Sequence, residues 1–164
     1  MASYLNIRWY SMHPNPISYF YALVGLIAVI CAFYTLKHNP RRASNQAFFI
    51  FSFGTGIWIG GYGLFLYSQS FFLVHVLNIG GLLLVIGSTW FAYSFPKERN
   101  YPLPAIIFWI PLFLIGSSII VSRQIIVDVD FLSSGKTVIT HGAYAAAWSL
   151  LLFSYIVIGV WRLG

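Results

Sequence analysis

Five stretches of about twenty residues run through this chain with no Asp or Glu inside them and Lys or Arg only at their ends. A helix of that length covers roughly 30 Å of hydrocarbon, and in lipid every backbone polar group has to be satisfied within such a segment. The chain is therefore expected to be an all-α integral membrane bundle of five transmembrane helices forming a single domain over residues 1–164. The spans are placed at about 17–36, 46–67, 71–95, 103–122 and 142–163, with an outer loop over 123–141. Pro14 and Pro16 suit the first start, Asn39 and Pro40 its stop, Ser44 or Asn45 a cap for the second span, and Pro96 the end of the third. Pro102 and Pro104 open the fourth, whose Pro111 falls mid-span. Composition agrees: 59% of the residues are hydrophobic, 7% are charged and the mean hydropathy is +0.80, more apolar side chain than a soluble domain of 164 residues can bury.

The net charge of +6 is scattered between apolar runs and forms no basic helix face, so nucleic acid is not an expected partner. With five alternating spans, Lys37, Arg41, Arg42, Lys97, Arg99 and Arg162 fall on one side, against Arg8, Arg123 and Lys136 on the other. That asymmetry predicts an outside N-terminus and a cytoplasmic C-terminus, in a multi-pass protein of the inner (cytoplasmic) membrane. The first apolar run lacks a small-residue cleavage pattern and is expected to remain in the mature chain. The single Cys31 has no partner for a disulfide within the chain.

Helix association in lipid depends on close packing, and the second span carries Ser52, Gly56, Gly60 and Gly63 at spacings of three and four, with Gly54 and Gly61 between them. Gly80 and Gly87 of the third span can face that stripe, and Ala143 and Ala147 give the fifth a small-residue stripe of its own. Ser68 to Ser70 form so short a connection that the second and third spans must pack antiparallel. In the outer loop, the alternating segment from Ile125 to Phe131 fits a short strand or interfacial hairpin over the mouth of the bundle, or a plain surface loop. Asp128 and Asp130 there could accept Arg123 or a cation.

Trp9, Tyr10, Tyr67, Phe71, Phe72, Trp90, Tyr93, Tyr101 and Trp161 fall near span ends, where interfacial anchoring places them. Trp58, Tyr62, Trp109, Trp148 and Tyr155 lie deeper. Trp58, Tyr62 and Trp148, with His75, are the candidate lining for a flat apolar ligand such as a quinone, a chlorophyll-type pigment or haem. His13, His75 and His141 fall at a similar depth and form a candidate transition-metal set, although no spacing rule links them and a polar contact between helices is the better explanation of each. Ion pumps and charged-substrate transporters place an ionisable group in the membrane interior, which these spans lack. No phosphate loop, nucleophile elbow or metalloprotease pair occurs, so no enzyme activity is expected.

The segments WIGGY at 58–62, FAYSFP at 91–96, Pro111 and HGAY at 141–144 resemble, in order, the seven-helix N-terminal membrane input region of bacterial sensor histidine kinases. The resemblance covers about residues 17–163, the first five family helices. It implies a sensing module whose ligand alters helix packing and whose gene product continues past Gly164. The alternative is an accessory subunit of a respiratory or photosynthetic complex that packs against other membrane subunits, or a homodimer partner, and contacts a quinone or pigment.

Overall fold

The computed structural model describes residues 16–68, 70–94, 113, 116–117, 126–131 and 137–163. They form α1 (Pro16–His38), α2 (Ala43–Ser68), α3 (Phe71–Ser94), a hairpin of β1 (Ile126–Phe131) and β2 (Thr137–His141), and α4 (Ala145–Leu163). At 1.5 Å per residue, α1, α2 and α3 are each about 34–39 Å long, and all three are apolar enough to cross a bilayer. The protein is a small, mostly helical, multi-pass membrane protein.

The expected count of five crossings is corrected to three among the described residues. The run from 142 to 163 is apolar in composition, but Gly142, Ala143 and Tyr144 form the turn out of β2, with the Ala145 N–H donating to the Gly142 carbonyl at 3.1 Å. The helix that follows, α4, is 19 residues long and is not among the three described helices that are long and apolar enough to cross. The proposed fourth span, 103–122, lies outside the described residues except for Phe113, Gly116 and Ser117, which are helical. An outside N-terminus and cytoplasmic C-terminus rested on alternation through five spans and fall with that count. Among the described residues, α1 to α4, with three of them long enough to cross, also do not match the five- or seven-helix scaffold of the sensor-kinase resemblance.

The helices pack in a row: α1 on α2, α2 on α3, and α3 on α4, with no comparable contact of α1 with α3. Between α1 and α2 the chain turns through Asn39 to Arg42. Asn45 does not cap its own helix. Its side-chain amide reaches back to donate to the carbonyls of Thr35 (3.3 Å) and Asn39 (3.2 Å), while the Gln46 amide donates to the Pro40 carbonyl (2.8 Å). The first turn of α2 thereby satisfies carbonyls that the end of α1 leaves open. The Arg42 carbonyl starts the α2 ladder by accepting from the N–H groups of Asn45 and Gln46.

One stripe of α1 is buried, Ser18, Gly25 and Ala32, seven residues apart; Ile17, Tyr19, Phe20, Leu23, Leu26, Ile27 and Ile30 are exposed. In water such a surface would demand a partner, whereas in lipid it is the surface a spanning helix presents. At the far end of the row, Trp148, Leu152 and Tyr155 of α4 pack against Leu82 and Ile86 of α3. The Thr89 hydroxyl stands in that contact, 2.8 Å from the Val85 carbonyl of its own helix and 3.4 Å from the Tyr155 carbonyl of α4.

The hairpin is antiparallel and packs by Val129 onto Phe65 and Val74, where α2 turns into α3. Strict alternation would send Ile126 and Val129 to opposite faces. A bulge between Ile126 and Asp128 breaks the alternation, and both residues pack on the helices.

Replacing Thr89 with Val keeps the shape and removes the hydroxyl that reaches α4. Loss of a hydrogen bond between membrane helices costs about 0.6–1.7 kcal/mol. Hydrogen exchange in detergent should accelerate over Ala145–Leu163 and stay unchanged over the middle of α2; equal exchange in α4 would show that Thr89 does not hold it.

Candidate functional site

The candidate packing residues divide between two sides of α2. On one side, a methyl group added at Gly25 of α1 would lie 2.5 Å from the Cα and N of Gly60 and 2.8 Å from the carbonyl oxygen of Gly56. One at Gly63 would lie 2.6 Å from the Ser18 carbonyl oxygen and 2.7 Å from the Ala22 nitrogen. One at Gly56 would meet the Val29 side chain at 2.5 Å and the Gly25 carbonyl oxygen at 2.8 Å. Gly56, Gly60 and Gly63 thus serve the α1 contact. The other side meets α3, where a methyl at Gly80 would lie 2.7 Å from the Trp58 nitrogen, one at Gly87 would strike the Phe51 backbone, and one at Gly54 the Leu84 nitrogen.

Real Cβ atoms do not come this close to backbone, so these contacts exist because the side chain is hydrogen. Two turns of α2 therefore touch backbone on both sides at once. Gly25 escaped the sequence reading, although Ser18, Gly25 and Ala32 repeat every seven residues and could have disclosed it. Ala143 and Ala147 are both exposed, the first in the turn before α4 and the second on its outward side.

The candidate ligand residues are not gathered into one site. Trp58 is 50% exposed and Tyr62 42%, one turn apart on the side of α2 left open by α1 and α3. The Tyr62 ring lies edge-on to Tyr21 of α1 with centroids 5.2 Å apart. Trp148 belongs to the α3–α4 contact; its ring lies where a methyl at Gly116 would meet it at 2.8 Å, and its indole N–H is buried with no acceptor among the described residues. Trp109 lies outside the described residues.

His75 is half-buried in the first turn of α3, with Phe71 edge-on at 4.8 Å. His141 is exposed at the end of β2, paired in register with Ile126. His13 lies outside the described residues, and no group of three or more His, Cys, Asp or Glu side chains comes together among those described. The Asp128 carboxylate accepts from the Val129 N–H at 2.8 Å, a local contact within β1, and Arg123 lies outside the described residues. Asn78 is likewise used locally, donating to the Val74 carbonyl at 2.9 Å.

Comparison with known protein families, with curated proteins and with solved structures returns no match.

The two-sided contact makes a position-specific prediction. Ala at Gly25 or Gly87 meets backbone and should destabilise by about 1–3 kcal/mol. Ala at Gly60 finds its nearest neighbour at an ordinary 3.5 Å, and Ala at Gly81 has nothing within 4 Å. Those two should be neutral or gain up to about 1 kcal/mol of helix propensity. Thermal unfolding of the four variants in one detergent measures the order, and equal behaviour of Gly81→Ala and Gly87→Ala would contradict the packing.

Proposed function

We propose that this chain is a non-catalytic packing subunit of a larger assembly in the inner (cytoplasmic) membrane, with α1, α2 and α3 as its fixed part and the open side of α2 as the face that meets a neighbouring chain. Trp58 is the observation that carries this. It stands near the middle of a 26-residue spanning helix, within about 4 Å of its midpoint along the axis, and half its surface is exposed. Tryptophan favours the membrane interface, where its N–H finds water or headgroups; at mid-depth lipid tails supply no acceptor. A neighbouring chain would bury the ring and offer a carbonyl or hydroxyl to the indole. The absence of Asp, Glu, Lys and Arg from α2 and α3 supports a role in packing over one in moving ions.

A quinone is the second occupant this position favours, since a quinone carbonyl can accept from Trp58 while its ring lies against Tyr62. His75 stands in the first turn of α3 and contributes to neither version.

A photo-crosslinking amino acid placed at Trp58 in native membranes should give a discrete adduct with another polypeptide, and the same group at Leu26 on the exposed side of α1 should give none. An adduct at twice the chain mass identifies a second copy. Absence of any protein adduct at position 58 rejects the subunit role. Quinone found in solvent extracts of the wild type and lost in Trp58→Phe would replace it with the ligand reading.

A further inference from the structure

The turn between α1 and α2 holds a second feature that packing does not use. Lys37, His38, Arg41 and Arg42 are all exposed within six residues. Asp128 and Asp130 belong to the hairpin, which packs at the other end of α2, about 39 Å away along a helix of 26 residues. Among the described residues, therefore, no carboxylate stands at this end of the bundle to pair with Lys37 or Arg41.

The turn is also built. The amides of Asn45 and Gln46 donate to the carbonyls of Thr35, Asn39 and Pro40, and the Arg42 N–H donates to the Asn39 carbonyl at 3.3 Å. The cations thus project from a backbone fixed by side chains of the next helix. Directly toward the membrane, Tyr34 is 69% exposed and its ring stacks on His38, 6.0 Å between centroids and 19° from parallel, with Phe33 beside it and Ile30 one turn further in also exposed.

We infer that this turn binds the headgroup phosphate of an anionic phospholipid, with Lys37 and Arg41 as its charge partners and the exposed flank from Tyr34 to Ile30 along the acyl chain. Free phosphate offers the same charge, but it has no use for the apolar flank. A zwitterionic lipid offers the chain and cancels the phosphate charge with its own ammonium. Basic residues at a membrane surface attract anionic lipid, and an ordered turn gives that attraction a fixed geometry.

The test is lipid retention and thermal protection of the purified full chain in detergent, with phosphatidylglycerol, phosphatidylcholine of the same acyl chains, and inorganic phosphate as probes. Phosphatidylglycerol should be retained over phosphatidylcholine, and its retention should weaken on the order of tenfold in Lys37→Gln/Arg41→Gln. Asn45→Ala, with every charge intact, should fall between the two. In the wild type, raising salt from roughly 0.05 to 0.5 M should release phosphatidylglycerol and leave phosphatidylcholine unchanged, a readout that needs no variant to fold. Equal retention of the two lipids, or salt-insensitive retention of phosphatidylglycerol, overturns the site. Inorganic phosphate protecting as well as phosphatidylglycerol overturns the assignment to lipid.

Discussion

Lipid tails are as apolar as the side chains they surround, so helices in a membrane gain no hydrophobic free energy by leaving lipid for one another. What holds these helices together has to come from close approach. In this chain close approach is the work of hydrogen atoms where other residues carry a methyl: Gly25 against Gly56 and Gly60, Gly63 against Ser18 and Ala22, Gly54 and Gly80 across the α2–α3 contact, and Gly87 against Phe51. Dispersion between backbones falls off steeply with distance, and a few tenths of an ångström across several turns decides whether such a contact holds. Because α2 bears small residues on two sides, it can be a central helix with a backbone neighbour on each.

The remaining parts are attached to that core by other means. On α3, the residues Leu82 and Ile86 hold α4 through ordinary side-chain packing with Trp148, supplemented by Thr89. The hairpin rests on Phe65 and Val74 by Val129, and a bulge lets Ile126 join it. Neither attachment has the backbone-to-backbone character of the α1–α2–α3 contacts. The α1–α2 turn is different again, a hydrogen-bonded connection whose polar groups serve the end of α1 and leave the cations outward.

Three of the helices and the hairpin are legible because each has a local physical signature. Asn39 and Pro40 stop α1, and Ser68 to Ser70 leave no room for anything but an antiparallel return. The alternation from Ile125 to Phe131 marks a strand. The final helix begins three residues later than its hydropathy suggests because Gly142, Ala143 and Tyr144 form a turn, and hydropathy does not register a backbone reversal. A place near the start of a helix suggests Ser44 or Asn45 as its cap, but the Asn45 amide is a donor and the end of α1 lies within its reach. The glycine pattern disclosed a packing helix without disclosing which neighbour each glycine serves. Partner identity depends on the rotation of α2 about its axis, a tertiary property. For the same reason His75, Trp58 and Trp148, although all on apolar helices, belong to three different surroundings.

The contact between backbones is open to direct observation. With glycine as the only protonated residue in an otherwise deuterated sample in lipid nanodiscs, the Hα atoms of Gly25 and Gly60 should give a nuclear Overhauser cross-peak, and those of Gly54 and Gly80 a second. Both cross-peaks together place α1 and α3 against α2 at once. A folded, helical sample that lacks them would contradict the account, because no side-chain packing among these helices substitutes for glycines that do not meet.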